Sequence, residues 1–257
     1  AEIKNEAGET RKILTEPLTN FNAFVFDQQL KNSSKVYFIN TNVLRNGSGY
    51  RDANVSGAGF SFQDKGNTVR IDGTTNLSQI FTRNDTLTDN FNDQMGYFYA
   101  AGIRKISGTF QYGLYHESMN KTFDRTDMGY FATTNYSAYN ANFSFNRFKP
   151  WKFLLRSHNN INVNYGNNYI TGARTDLSFN VNLFALHKNF IGMFCGTSFT
   201  PVSSYDYYEP REDGRYFRSA QWYYVWGGFS TNYAKTFALD VNLNAGNFMK
   251  NNIQGFP

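Results

Sequence analysis

What most constrains this chain is a strict alternation of polar and apolar residues that recurs along it. In the run 176–185, Leu177, Phe179, Val181, Leu183 and Ala185 fall on one side; Asp176, Ser178, Asn180 and Asn182 fall on the other, with Phe184 the exception. Between 237 and 245, Phe237, Leu239, Val241, Leu243 and Ala245 alternate with Ala238, Asp240, Asn242 and Asn244. Between 139 and 146, Tyr139, Ala141, Phe143 and Phe145 alternate with Asn140, Asn142, Ser144 and Asn146. Successive side chains of a strand point to opposite faces, so a period of two predicts strand and a period of 3.6 predicts helix. Noisier stretches of the same kind complete a set of twelve strands, at about 20–30, 35–44, 52–63, 68–80, 94–104, 108–117, 137–147, 152–165, 172–186, 190–199, 221–231 and 236–246. No segment reads as a convincing helix.

A one-sided apolar face suits two architectures, and composition separates them. A soluble sandwich or propeller buries that face and shows Lys, Glu and Thr to water. A transmembrane barrel turns it to lipid and lines its lumen with polar side chains. Here Phe, Tyr and Trp number 26, 18 and 3, Asn occurs 33 times, and mean hydropathy is −0.55. The polar faces carry Asn, Ser, Asp and Arg with few Lys or Glu. The apolar faces end in the amphipathic rings that anchor at membrane interfaces. The same composition argues against a helical bundle and against charged disorder. The expectation is an all-β fold: an antiparallel transmembrane outer-membrane β-barrel with about twelve strands in this chain, residues 1–257 forming one barrel region.

Link lengths support it. The links 31–34, 45–51, 64–67, 81–93, 105–107, 118–136, 148–151, 166–171, 187–189, 200–220 and 232–235 alternate short and long. Outer-membrane barrels have tight periplasmic turns and extended outer loops. On that rhythm both ends of the chain lie on the long-loop side, which gives the expectation of a piece of a larger barrel. The competing expectation adds weak strands at about 2–14 and 247–256 and closes a fourteen-stranded barrel. Residues 1–10 carry three Glu and no apolar run, unlike a signal peptide, and no stretch reaches the ~18 apolar residues of a membrane helix.

Three stretches carry a family resemblance. They are Glu16-Pro17-Leu18-Thr19-Asn20-Phe21-Asn22 with Phe26-Asp27-Gln28; Ile39-Asn40-Thr41-Asn42-Val43; and Phe123 with Asp127-Met128-Gly129-Tyr130. With the strand pattern between them, over residues 15–246, they resemble the carboxy-terminal barrel of an outer-membrane family of Bacteroidota that is a domain of unknown function. In that family the barrel commonly follows a signal peptide and a domain similar to a family-nine carbohydrate-binding module. The resemblance implies a bacterial outer-membrane location and supplies no catalytic residue. The module and the first barrel strands of that pattern have no counterpart in these residues, which again suggests a partial barrel.

The residues give little chemistry of catalysis. A single Cys195 excludes an internal disulfide and a Cys-based metal cluster, and His116, His158 and His187 are too scattered for a metal site. Ser157 and His158 are neighbours on a strand and face opposite sides, so they cannot pair. G-x-S-x-G and phosphate-binding glycine loops are absent. The expectation is a protein that is not an enzyme and needs no cofactor. A formal charge of +5 without clustered Lys and Arg suits anionic lipid and lipopolysaccharide and does not suit nucleic acid.

Candidate ligand residues fall in two groups. On the presumed lumen face are Arg156 and His158, then Arg174 and Asp176 on the next strand; antiparallel pairing would place them in one ladder. That ladder is either a structural Arg–Asp network or a constriction selecting anionic or sugar ligands. The loop 200–220 concentrates Tyr207, Tyr208, Arg211 and Arg215 among further rings and acids, as in a sugar-stacking or protein-contact surface, or in an interfacial aromatic belt. Asp85-Thr86-Leu87 resembles a periplasmic O-glycosylation acceptor, which marks Thr86. The functional readings are passage of a polar solute or glycan, or membrane anchoring of a surface module. The alternatives are a structural subunit of an outer-membrane assembly, with other outer-membrane proteins as partners, and a soluble carbohydrate-binding all-β domain extracted without detergent.

Overall fold

The computed structural model describes residues 2–4, 10–12, 15–47, 50–82, 94–129, 133–212 and 214–249. Their strands are β1 (Glu2–Lys4), β2 (Thr10–Lys12), β3 (Thr19–Gln29), β4 (Lys35–Arg45), β5 (Arg51–Gln63), β6 (Val69–Thr82), β7 (Gln94–Lys105) and β8 (Phe110–Met119). They continue with β9 (Tyr136–Arg147), β10 (Leu154–Asn168), β11 (Arg174–His187), β12 (Gly192–Thr200), β13 (Ser204–Asp206), β14 (Phe217–Ser219), β15 (Trp222–Ser230) and β16 (Asp240–Phe248). Twelve of them form one antiparallel sheet in the order β16-β15-β12-β11-β10-β9-β8-β7-β6-β5-β4-β3. Each of the twelve segments read from the alternation holds one of these strands. Among the described residues there is no α-helix; one 3-10 turn, Thr126–Met128, interrupts the long link after β8.

The sheet is not closed. Among the described residues β3 and β16 each pair on one side only. The alternative strand near 2–14 does not extend the sheet: β1 and β2 within it pair with one another, Ile3 opposite Arg11, and join neither edge, and most of the alternative strand at 247–256 lies outside the described residues. The last strand begins four residues later than expected. The Thr231 N–H donates to the Leu239 carbonyl at 3.0 Å and the Leu239 N–H donates to the Thr231 hydroxyl at 2.7 Å, which holds 231–239 as a loop.

Polar side chains set the other short turns. In 64–67 the Asp64 carboxylate accepts the N–H groups of Thr68 and Val69 at 2.6 and 2.8 Å, and Asn67 adopts φ 48°. Asn and Asp tolerate such positions because their short polar side chains bond the local backbone.

Register fixes the tilt. The residues paired across the sheet from Val181 are Ile161, Phe143, Tyr112, Lys105 and Val69 in turn. That line starts at the middle of β11 and leaves at the first residue of β6. The strands therefore slip by a little over one residue each, ~4 Å for every ~4.8 Å across the sheet, which is a tilt of about 40° and within the range of barrels.

The two sides of the sheet differ. Along β7, Gly96, Phe98, Ala100 and Gly102 are buried or half-buried, whereas Met95, Tyr97, Tyr99 and Ala101 are exposed. The first set lines the concave side and the second the convex side. From β6 to β16 the convex side is apolar and aromatic, with Ile71, Leu77, Ile103, Leu114, Phe143, Phe145, Ile161, Leu183, Val225 and Leu243 all exposed. Rings continue across strands there: Tyr99, His116, Tyr139 and Tyr165 follow one another with centroids 5.5, 4.2 and 6.0 Å apart. Over the long-loop half of β4 and β5 the polarity reverses. Val43 and Ala53 face the concave side and are buried with Ile80, while Asn40, Asn42, Asn54 and Ser56 take the convex side.

Candidate functional site

The concave face of β9, β10 and β11 is a ladder of side-chain amides. Strand alternation places Asn142, Asn162 and Asn180 level with one another, and Ser144, Asn160 and Asn182 on the next rung. Asn142 Nδ2 donates to Asn162 Oδ1 at 2.5 Å, and Asn162 Nδ2 donates to Asn160 and Asn180 Oδ1, both at 2.9 Å. Asn182 Nδ2 donates to Asn160 Oδ1 at 2.9 Å. Each amide offers two donors and an acceptor with two lone pairs, so the ladder retains capacity toward the open side of the sheet.

Toward the long-loop end, residues 120–129 fold back as a strap over the concave face. Phe123 is buried against Gly96: a Cβ on Gly96 would lie 2.2 Å from the Phe123 Cα, so only glycine permits the approach. The Asp124 N–H donates to the buried Ser78 hydroxyl at 2.9 Å. Asp127 accepts Arg45 Nη2 at 2.7 Å and Arg51 Nη2 at 2.5 Å, and Arg51 Nη1 reaches Asp124 at 3.1 Å. Burial alone would raise the Asp124 carboxyl. The N–H and hydroxyl of Thr126 and the charge of Arg51 outweigh it and hold the group below the usual carboxylate range. Gly129, at φ 81°, ends the 3-10 turn.

Beside the strap lies a cleft of about 930 Å³ at the long-loop end, between the top of β11 and the β13–β14 hairpin. Tyr205, Tyr207, Tyr208 and Arg211 line it from the hairpin and Asp176 from the sheet. Tyr216 packs on both Tyr205 and Tyr207 with centroids 5.2 Å away in each case. Burial raises the Tyr207 hydroxyl above its ordinary pKa, so it stays a donor near neutral pH. Rings beside carboxylates and a guanidinium can stack on an apolar sugar face while bonding its hydroxyls.

The structure divides the residues expected to form one ladder. Arg156 and Asp176 are both on the concave face, but Arg156 lies opposite Leu186 and Asp176 opposite Gly166, ten residues apart along β11. At ~3.3 Å per residue that is roughly 33 Å, so Arg156 belongs to the short-turn end and Asp176 to the cleft. The alternation identified the shared face correctly; the antiparallel register put the two at opposite ends. His158 packs between Phe148 and Phe184, at centroid distances of 5.8 and 6.1 Å.

Asp176 does not pair with Arg174. It accepts the hydroxyls of Ser178 and Ser204 at 3.0 and 2.9 Å. Arg174 donates to the Ser203 carbonyl at 3.3 Å and sits 5.9 Å from the Tyr205 ring centroid. The cleft thus unites Asp176 with Tyr207, Tyr208 and Arg211, two groups that the sequence left separate. Arg215 stands apart, 3.2 Å from Glu212 and well exposed. Thr86 lies outside the described residues.

The predicted ladder of Arg156, Arg174 and Asp176 forms no Arg–Asp network; the ion pairs of the concave face join the strap's Asp124 and Asp127 with Arg45 and Arg51, and Asp72 with Arg104 at 2.6 Å. Sequence reasoning singled out Phe123 and Asp127 as a motif without a role. Nothing local to Arg45 or Arg51 announces a partner 82 or 76 residues away. No curated protein and no solved structure matches the chain. A family model does match, over residues 1–256, which takes in the sheet, its strap and its cleft together, and the chain accordingly belongs to the domain of unknown function DUF5916.

Proposed function

We propose that this chain is the wall of a bacterial outer-membrane β-barrel whose polar concave face passes a polar, sugar-like solute, first bound in the cleft of Tyr207, Tyr208, Arg211 and Asp176. One observation carries the reading: from β6 to β16 most of the exposed rings and aliphatics are on the convex side and the Asn ladder is on the concave side, the reverse of a soluble sandwich. Lipid and lipopolysaccharide then cover the convex side. Further strands of the same barrel pair with the open edges of β3 and β16, since an unpaired edge is intolerable in hydrocarbon.

The test is reconstitution of the full chain in planar bilayers. Stepwise conductance is expected, with partial block by a soluble oligosaccharide; Tyr207→Ala weakens the block and leaves the conductance unchanged. A chain that remains in the aqueous phase without detergent overturns the membrane reading.

A second reading, a structural or anchoring subunit without transport, is favoured by the strap, which occupies the concave face and is tied there by three ion pairs. Asp127→Asn separates the two. Raised conductance supports passage; a correctly inserted chain that conducts in neither form supports the structural role.

A further inference from the structure

On the long-loop half of β4, β5 and β6 the convex side is not apolar. Asn40 Nδ2 donates to Asn54 Oδ1 and to the Ser56 hydroxyl, each at 2.8 Å, and Asn54 Nδ2 donates to Gln79 Oε1 at 3.1 Å. Asn42 lies opposite Asn54 on the same face, and Asn22 of β3 lies opposite Asn42. The patch reaches from near the long-loop rim to the strand middles: Asn22, Asn42, Asn54 and Gln79 are each the fourth residue from the long-loop ends of their strands, whereas Asn40 is the middle residue of β4 and Ser56 is next to the middle of β5. On a tilted barrel wall, strand middles lie at the middle of the hydrocarbon band. At comparable heights the other strands present Tyr139, Ile161 and Leu183. Lipid chains cannot bond the amide donors and acceptors that the network leaves over, and each such group costs free energy in hydrocarbon.

We propose that this patch is the contact surface between two copies of the chain within the membrane. The inference rests on the membrane reading given above. A patch of Asn, Ser and Gln carries no formal charge, and every amide is both donor and acceptor, so the surface is complementary to itself, as a two-fold contact requires. A partner of different chemistry would be met by exposed charge of one sign, and the one acid beside the patch on this face, Asp52, is buried and accepts the Arg45 N–H at 2.7 Å. An apolar rim surrounds it, with Phe24, Phe38, Leu44, Phe60 and Leu77 exposed on the same side, and these exclude lipid from the amides when two copies meet. Polar side chains act as such glue between membrane-spanning segments.

The experiment uses the full chain, purified and reconstituted in phosphatidylcholine vesicles, in a Cys195→Ser background. Ser56→Cys, conservative in size, reports the patch, and Ile161→Cys, at an exposed position, reports the ordinary convex face. Each is oxidised with copper phenanthroline, and each is separately spin-labelled and probed with oxygen and with a water-soluble nickel chelate. The expected result is a disulfide-linked dimer from Ser56→Cys and none from Ile161→Cys. The label at 161 is accessible to oxygen, and the label at 56 is shielded from both probes. Absence of the dimer, or a label at 56 as accessible to oxygen as the one at 161, overturns the two-copy surface and leaves the membrane reading intact. A label at 161 that meets the nickel chelate overturns the membrane reading itself.

Discussion

Single residues hold the strap, and their replacement has defined consequences. Gly96→Val places two methyl groups where the Phe123 backbone runs, so the strap must lift; overpacking of this kind costs about 1–3 kcal/mol and is expected to expose 120–129 to protease. Phe123→Ala removes the buried ring itself, at about 3 kcal/mol. Asp127→Asn leaves two guanidinium groups short of a nearly buried carboxylate, and with Arg51 partly in solvent the cost is about 2 kcal/mol, read as a lower urea midpoint.

Acid acts on the same device. The folded pKa of Asp124 is depressed below its unfolded value, so the stabilisation is present above the unfolded pKa and is lost as pH falls through the folded one. Docking of the strap is expected to weaken below about pH 4, seen as a rise in pepsin cleavage at Phe123 relative to an unfolded reference peptide at each pH, a rise that is smaller in Asp124→Asn.

Elements are stabilised by what their alternating faces meet. Along β10, Asn162 accepts from Asn142 and donates to Asn160 and Asn180, so it ties three strands together. Asn162→Leu leaves the Asn142 donor unpaired and is expected to cost about 1–2 kcal/mol in a urea titration, whereas Ile161→Leu on the convex side is nearly neutral. The strands themselves were legible because Leu177, Phe179, Val181 and Leu183 repeat at two. Their ends were less so. Phe237 continues the pattern of β16, yet the backbone bonds between Thr231 and Leu239 keep it in a loop. The β13–β14 hairpin escaped because three residues a side are too few to show a period.

For the whole molecule the sheet's register is the decisive quantity. A slip of a little over one residue per strand gives the tilt of about 40°, and in an oriented lipid film the amide I dichroism of the reconstituted chain is expected to report it. An axis perpendicular to the strands would contradict the register. The same slip decides which residues share a height, and hence which meet the strap, the cleft or the convex middle. Arg156 and Asp176 belong to one face in sequence and to opposite ends of the wall in space.

Alternation is a local property, set by the geometry of one strand, so the sequence alone determined that the chain is all-β, where its strands run and which residues share a face. The docking of Phe123 on Gly96, the grip of Asp127 on Arg45 and Arg51, the meeting of Asp176 with Tyr207 and Arg211, and the reversed polarity of β4 and β5 were decided by tertiary structure. Each depends on strand register and on the path of long links. Neither leaves a periodic trace in the chain, because both are fixed by contacts between residues far apart in sequence.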